Sequence, residues 1–359
     1  MVNGLTKERE IVILLSRLTF SEAEISRVYE IISQKPNWFE VYKYGLYHKT
    51  VALCINNLKK IKPGIFIPKI LNSAYVFISE GNKHVAKLYK QEIEALNEKL
   101  ARRGIACIPV KGSSLIKTIY KDEPGTRYMG DADFLVKHED TGILHDVLTG
   151  LGYVQTTYDK TGKLVPISRA ELIKWKMYMS HLPKYRKTVE SPYVNNIIEF
   201  DFRFALDDTL NREPVNEMIE FYQTHHCFAP SHELMHLCTH FYDEAKHLDT
   251  IKAAKDLNLI KLCDIREFVL ANGVEQVLED TYSFAKKHKL EKQFYMTLYY
   301  LQLIYNDGYE TLYMQKLDVD DYSFLHTFKS DANNEQNQFK KDFWERLFSC
   351  GNENEITKG

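Results

Sequence analysis

The sequence is short of cysteine, of long apolar runs and of net charge, and each shortage excludes a class of protein. Its six cysteines among 359 residues form no CxxC pair and are too few for a disulfide framework, so we expect reduced thiols. No stretch approaches the roughly 18 apolar residues that span a bilayer. The apolar run at residues 11–15 has charges on both sides and no cleavage site, so we expect no signal peptide. These features together predict a cytosolic protein without a membrane partner.

The charge balance argues against a protein that tracks nucleic acid. Lys plus Arg number 47 and Asp plus Glu number 49, which gives a formal net charge of −2. Proteins that follow a phosphate backbone usually carry a clear basic excess, so long nucleic acid is not the expected partner, although a local basic patch is not excluded. Hydrophobic residues make up 44% and charged residues 27%, which is typical of a folded, globular chain rather than a disordered or collagen-like one.

The apolar spacing changes twice along the chain and divides it into regions. Spacings of three and four predict helices before Gly104 and after Pro214, with Ser21 and Asn37 placed as N-caps. Between them, short apolar or alternating runs predict strands near residues 105–110, 131–136 and 196–204, and a hairpin over residues 153–166. We therefore expect an α+β fold with a mixed-sheet core. The predicted regions are a helical N-terminal region (1–103), an α/β core (104–206), a helical C-terminal region (207–350) and a polar tail (351–359).

Two pairs of acidic residues occur on predicted strands. Asp131 and Asp133 are two positions apart, so both carboxylates leave the same face of one strand. Carboxylates on one face repel each other unless a cation lies between them, and Mg²⁺ prefers such hard oxygen ligands together with substrate phosphates. Glu199 and Asp201 have the same spacing on a later strand. Either could supply a third carboxylate if the two strands are neighbours.

A glycine-serine turn lies upstream of the first acidic pair. Gly112 follows a predicted strand and precedes a helical segment, a position where phosphate can approach backbone N–H groups. Ser113 and Ser114 add hydroxyl donors, and Lys111 adds positive charge. A phosphate-binding turn facing a carboxylate pair is typical of attack on a nucleoside triphosphate, with two Mg²⁺ ions holding the attacking and leaving oxygens.

The central block resembles the uncharacterised nucleotidyltransferase family, which has a motif similar to KGxxL followed by GxRxMGDxDxLV. Residues 110–115 read VKGSSL, and residues 125–136 read GTRYMGDADFLV. The resemblance implies the fold of the nucleotidyltransferase superfamily. It also implies that Asp131 and Asp133 bind the catalytic metals, that Gly112 and Ser113 hold the triphosphate, and that Glu199 completes the carboxylate set.

The chain departs from this family at the last acidic strand. Family members often read Asp-Leu-His-Trp-Arg there, whereas residues 199–203 read EFDFR. Asp201 therefore stands where a histidine would be. Both Glu199 and Asp201 are candidates for the third carboxylate, and either could hold a metal or act as general base.

Other candidate residues have two interpretations each. Arg127 could contact the triphosphate, because a guanidinium matches phosphate oxygens, or it could pair with a nearby acid such as Asp122 or Glu123.

His232, His236 and His240 recur every four residues and share a helical face. They could bind zinc, for which the sequence identifies no fourth ligand, or pack against the core.

The hypothesis with most support is Mg²⁺-dependent transfer of a nucleoside monophosphate from an NTP, with release of pyrophosphate. The acceptor would be a hydroxyl or similar group on a small molecule, a peptide or a protein. Two rivals use the same turn and acids. One is a nucleotide-binding accessory or regulatory protein with this fold but little activity, and the other is a kinase-like phosphotransferase that releases a nucleoside diphosphate.

Overall fold

A computed structural model describes residues 5–190, 196–329 and 336–349. The predicted polar tail lies outside the described residues. The fold is α+β, as expected, with one mixed sheet and many helices.

The helices begin where the sequence places capping residues. The Ser21 side chain accepts from the Glu24 N–H while the Glu24 side chain accepts from the Ser21 N–H, and the Asn37 side chain accepts from the Phe39 N–H. In chain order the helices are α1 (Lys7–Leu15), α2 (Glu22–Ser33), α3 (Trp38–Tyr47), α4 (Val51–Ile61), α5 (Lys69–Ala101), α6 (Gly112–Thr118), α7 (Thr141–Gly150), α8 (Arg169–Tyr178), α9 (Glu213–His225), α10 (Pro230–Lys246), α11 (Leu248–Lys252), α12 (Leu259–Ala271), α13 (Val274–His288), α14 (Glu291–Ile304), α15 (Tyr309–Lys316) and α16 (Phe343–Leu347).

Six strands form the mixed sheet. The strands in the described part of the chain are β1 (Cys107–Val110), β2 (Ala132–Val136), β3 (Val154–Tyr158), β4 (Leu164–Pro166), β5 (Tyr185–Val189), β6 (Asn196–Arg203), β7 (Thr327–Lys329) and β8 (Gln336–Gln338). The sheet order is β1-β2-β6-β5-β3-β4, in which β2 and β6 run parallel and the other neighbouring strands described run antiparallel. The predicted hairpin is confirmed as β3 and β4. The strands predicted near residues 105, 131 and 196 are confirmed as β1, β2 and β6.

The chain forms two compact units, which we call the helical unit and the sheet unit. The helical unit consists of residues 1–82, 125–128 and 237–359, and the sheet unit consists of residues 83–124 and 129–236. Both α5 and α10 contribute residues to each unit. The N-terminal and C-terminal helices thus belong largely to one unit.

Aromatic rings fill one side of the sheet. Phe134 of β2 stacks on Phe202 of β6 at 4.9 Å between ring centroids and meets Phe200 edge-on at 5.1 Å. Tyr153 stacks on Phe200 at 4.7 Å. Along β6 buried and partly exposed residues alternate, because successive side chains point to opposite faces. Burial of the aromatic face therefore fixes which residues β6 presents on the other face.

Two elements correct the expectation from sequence. The C-terminal region was expected to be helical, but β7 and β8 form a two-stranded antiparallel sheet within it. β5 has no counterpart among the predicted strands, although it lies between β6 and β3. These strands are only three to five residues long, too short for local spacing to indicate them.

Five of the six cysteines lie in the described part of the chain and form no disulfide there, and Cys350 lies outside it. The free thiols are those of Cys54, Cys107, Cys227, Cys238 and Cys263. Within the described part of the chain, no helix has an apolar stretch of the length that crossing a membrane requires.

Candidate active site

The two acid-bearing strands lie side by side in the sheet unit. β2 and β6 run parallel, and their register pairs Asp133 with Asp201. Asp131 lies one residue before β2, so by alternation it points to the same side as Asp133. On β6, Glu199 shares a face with Asp201. The structure therefore brings the four predicted carboxylates to the side of the sheet opposite the aromatic core, and we call this side the carboxylate face.

Asp133 is the most buried of these acids, with 5% of its surface exposed. Burial raises the pKa of Asp133 to about 7. The Lys111 ammonium opposes that shift, whereas the negative charges of Asp131 and Asp201 add to it. The acids thus repel each other across the two strands, as expected of carboxylates crowded on one face.

Two lysines neutralise this charge. The Lys111 Nζ lies 2.6 Å from the Asp133 Oδ1, and the Lys184 Nζ lies 2.7 Å from the Asp131 Oδ2. Lys184, which immediately precedes β5, was not among the predicted site residues. Burial alone would lower the pKa of Lys184, but the charges of Asp131, Asp201 and Glu199 raise it. The ammonium of Lys184 therefore stays protonated and interacts with three carboxylates.

Glu199 and Asp201 differ in their partners. The Arg186 Nε donates to the Glu199 Oε2 at 2.6 Å, so this carboxylate already has a guanidinium partner. The Asp201 Oδ1 is buried and has no hydrogen-bond partner among the described residues. Asp201 is also the one registered opposite Asp133. The geometry thus favours Asp201 over Glu199 as the third carboxylate beside the aspartate pair.

The turn between β1 and α6 has an unusual backbone. Lys111 has φ 54° and ψ −131°, a conformation that glycine adopts readily and that costs other residues roughly 1–3 kcal/mol. Gly112 and Ser113 then begin α6. Ser113 is 1% exposed, and its Oγ has no hydrogen-bond partner among the described residues. The predicted phosphate-binding turn therefore lies next to Asp133, to which its lysine is joined.

Glu233 of α10 holds this turn in place. Its Oε1 accepts from the Lys111 N–H at 2.8 Å, and its carboxylate also hydrogen-bonds the Ser114 hydroxyl. Glu233 is 2% exposed. Sequence reasoning missed it, although residues 232–236 read HELMH, which matches the H-E-x-x-H pattern of zinc-binding helices. Here the glutamate of that pattern supports a backbone turn.

A second buried anchor joins the acid-bearing segments. The Tyr89 hydroxyl of α5 donates to the Gly130 carbonyl at 2.9 Å and accepts from the Glu199 N–H at 3.2 Å. Gly130 immediately precedes Asp131. Tyr89 is 2% exposed. This one hydroxyl group therefore holds in place both the backbone immediately before Asp131 and the backbone of β6.

The stability of the sheet unit should depend on pH through Glu233. Burial raises the pKa of Glu233 from 4.5 to about 8, against the opposing hydrogen bonds from Lys111 and Ser114. A pKa raised in the folded state adds stability that is complete below about pH 4.5 and is lost as the pH rises through about 8. Glu233→Gln cannot ionise, so its free energy of unfolding should fall less between pH 5 and pH 8.5 than that of the wild type.

Urea unfolding of both proteins at several pH values measures this difference. Glu171→Gln is a suitable control, because Glu171 lies at the surface in the same unit and its carboxylate caps α8. Parallel pH profiles for wild type and Glu233→Gln would show that Glu233 titrates normally.

Arg127 belongs to the helical unit, where it meets a different acid from those expected. Its Nε lies 3.1 Å from the Asp264 Oδ1 and its Nη2 lies 2.7 Å from the Asp264 Oδ2. Asp264 of α12 is 3% exposed. Asp264, which the sequence did not single out, is therefore a partner of this guanidinium. Its role as a triphosphate contact stays a prediction.

The three histidines of α10 do not gather a metal-ligand set among the described residues. His232 contacts the Phe221 ring edge-on at 5.2 Å between centroids, and His236 is 1% exposed. The His240 Nε2 lies 3.0 Å from the Glu244 Oε2. In residues 5–190, 196–329 and 336–349, no three His, Cys, Asp or Glu side chains come together as ligands for a metal ion. The packing interpretation of this helix fits these contacts better than the zinc interpretation.

Comparison with known families gives one match. The sequence model of a family described as "Uncharacterised nucleotidyltransferase" matches residues 34–306, which is more than half of the chain. Searches of curated proteins and of solved structures gave no match.

Proposed function

Since this chain belongs to the uncharacterised nucleotidyltransferase family, we propose that it transfers a nucleoside monophosphate from an NTP to an acceptor. The acceptor would be a hydroxyl or similar group on a small molecule, a peptide or a protein. In the reaction the acceptor oxygen forms a bond to the α-phosphorus, the bond from that phosphorus to the bridging oxygen breaks, and pyrophosphate leaves. The acceptor proton passes to a carboxylate of the protein.

One observation carries this proposal, namely the position of the acids relative to the turn. Asp133 lies opposite Asp201 in the β2–β6 register, and Lys111 of the strand-to-helix turn reaches Asp133. Acids and turn therefore share one side of the sheet unit. The reaction requires this proximity, because the triphosphate must contact both at once.

The residues of the carboxylate face fit a divalent cation such as Mg²⁺. Carboxylate oxygens are the ligands that Mg²⁺ prefers. Burial raises the pKa of Asp133 and the neighbouring charges of Asp131 and Asp201 add to this rise, so a cation beside these acids would be favourable. The buried Asp201 Oδ1, without a hydrogen-bond partner among the described residues, is a further available oxygen. Among the described residues these acids are not gathered as a set of three metal ligands, while Lys111 and Lys184 lie against two of them. Once those ammonium groups move away, Asp131, Asp133 and Asp201 would hold the metal, with Glu199 as the alternative third ligand. A bound metal would neutralise the developing charge on the phosphate oxygens.

The protein groups have separate roles in this scheme. Lys111, Gly112, Ser113 and Ser114 would orient the β- and γ-phosphates, with hydroxyl and N–H donors from the turn. Whichever of Asp201 and Glu199 does not hold the metal would accept the acceptor proton. Because Arg186 holds Glu199, Asp201 is favoured as the metal ligand. Glu233 and Tyr89 position these groups without contacting substrate.

The proposed class of acceptor follows from the net charge of the protein and from the charge of the site. A net charge of −2 and a site rich in carboxylates offer little to a long polyanion, so we propose a small molecule or a peptide side chain rather than long nucleic acid. We also propose that the protein acts in the cytosol, where its thiols stay reduced. A polynucleotide acceptor would instead show a steep dependence of binding on salt concentration.

Calorimetry with Mg²⁺ and each of the four NTPs tests the first step. We expect at least one NTP to bind with a dissociation constant between about 1 μM and 1 mM, the usual range for substrates. Product analysis by mass then separates the rivals. Pyrophosphate with a nucleotidylated acceptor supports transfer, a nucleoside diphosphate supports a phosphotransferase, and binding without either product supports an accessory protein. Absence of binding by every NTP would contradict the proposal.

A further inference from the structure

Asp131 and Asp133 of the carboxylate face already carry an ammonium partner. The pair of Lys111 with Asp133 is largely buried, with 12% and 7% of the two side chains exposed. The pair of Lys184 with Asp131 is more open, with 29% and 38% exposed. Each lysine ammonium thus lies where a positive charge offsets the repulsion between neighbouring carboxylates.

The backbone indicates that the side chain of Lys111 is needed. Its φ of 54° would suit glycine better, yet the chain has lysine there and glycine at the next position. The Lys111 N–H is held by the buried Glu233. The strained turn directs its ammonium to Asp133, and a glycine at this position would lose that contact.

Lys184 reaches the acids from the other side. It immediately precedes β5, whose register with β6 pairs Tyr185 with Phe200, so Lys184 extends toward the Asp201 end of β6. Its ammonium interacts with the charges of Asp131, Asp201 and Glu199 as well as bonding to the first of them. A single ammonium group therefore interacts with several carboxylates.

This arrangement makes the binding of metal and of triphosphate depend on each other. A metal ion alone must displace an ammonium from its carboxylate and leave that ammonium without its strongest partner. A triphosphate alone must draw the ammonium away from an acid and then lie near bare carboxylates. When both bind, the metal takes the carboxylates and the phosphates take the ammonium groups, so that every charge has a partner.

We propose that Lys111 and Lys184 hold the carboxylate face in place of the metal until a polyphosphate arrives, so that metal and triphosphate bind with positive coupling. This inference rests on the proposed function. Coupling of this kind is reciprocal, so each ligand strengthens the binding of the other by the same factor.

Single-ligand binding to Lys184→Met tests the proposal. Mn²⁺ alone, measured by the electron paramagnetic resonance signal of free Mn²⁺, should bind about tenfold more tightly to the variant than to wild type, because no ammonium competes. Inorganic tripolyphosphate in EDTA, measured by calorimetry, should bind about tenfold more weakly, because a cation is lost. If Lys184 had only a structural role, its replacement would not raise the affinity for Mn²⁺ while lowering the affinity for tripolyphosphate.

Lys187→Met is the matched control, since it removes the same charge from β5, the strand that Lys184 precedes. Lys187 pairs with Glu92 at 2.8 Å and registers with Ile198, on the other side of the sheet. It should change neither affinity. Lys184→Arg keeps the charge and should stay closer to wild type in both measurements. Lys111→Met is a second variant that should show the same opposite shifts if Lys184→Met does not fold.

The proposal is overturned if Mn²⁺ binds Lys184→Met and Lys111→Met no more tightly than wild type, or if tripolyphosphate binds them equally well. In that case wild-type binding of an NTP with Mg²⁺ would leave the proposed function standing. Failure of the wild type to bind any NTP with Mg²⁺ would instead remove the proposed function and this inference together.

Discussion

Changing Asp133 to asparagine is expected to lower pyrophosphate release by roughly a thousandfold, the scale of losing one electrostatic group at a reaction centre. Asp133 lies at the middle of the carboxylate face, opposite Asp201 and bonded to Lys111. Asparagine keeps the shape and one oxygen but removes the charge that a metal requires. The double change with Asp131→Asn should abolish turnover. Release can be followed with the acceptor, or with water as a slow acceptor.

The same change should have little effect on folding. Burial and the neighbouring acids raise the pKa of Asp133 to about 7, so the ionised carboxylate is itself costly in the folded state. Removing that charge offsets part of the cost of leaving the Lys111 ammonium without its partner. The free energy of unfolding should therefore change by less than about 2 kcal/mol. Asp146→Asn, on an exposed position of α7, removes an equal charge as the control. Retention of a tenth or more of wild-type turnover by Asp133→Asn would argue against a role of Asp133 in the reaction.

The elements that carry the predicted site were accessible from sequence because they are local. Alternation of apolar and polar residues indicated β6, and a breaker-bounded apolar run indicated β1. Spacing by two placed Asp131 and Asp133 on one face. The register between β2 and β6 could not be predicted from spacing along the chain. That Asp201 rather than Glu199 lies opposite Asp133 follows from how two strands 60 or more residues apart align.

The groups that position and neutralise the site depend on contacts distant in sequence. Glu233 is 122 positions from Lys111, and Lys184 is 53 positions from Asp131. Contacts between residues so far apart in the chain produce no periodic pattern in the sequence. The H-E-x-x-H pattern around Glu233 was visible in the sequence, but the pattern indicates a metal site, whereas the fold turns its glutamate to a backbone N–H. Such a motif predicts chemistry only when its surroundings are known.

Glu267→Ala should be among the most destabilising single changes in the helical unit. Glu267 of α12 is 3% exposed and accepts four hydrogen bonds. The donors are the Leu18 N–H at 2.9 Å, the Thr19 N–H at 3.3 Å, the Thr19 Oγ1 at 2.9 Å and the Arg266 Nη1 at 2.6 Å. Alanine would leave buried donors without an acceptor and would remove one of the carboxylates that balance the Arg266 charge. The expected loss of unfolding free energy is about 3–5 kcal/mol.

Urea unfolding followed by tryptophan fluorescence measures this loss, because Trp38 of α3 and Trp344 of α16 lie in the helical unit. Glu279→Ala is the matched control. Glu279 also pairs with a cation, the Lys316 Nζ at 2.6 Å, but its side chain is 48% exposed. An exposed pair of this kind contributes at most about 1 kcal/mol. Equal losses for the two variants would show that burial of Glu267 does not determine its contribution. A larger loss for Glu267→Ala would show that the N–H groups between α1 and α2 depend on an acid some 250 residues away.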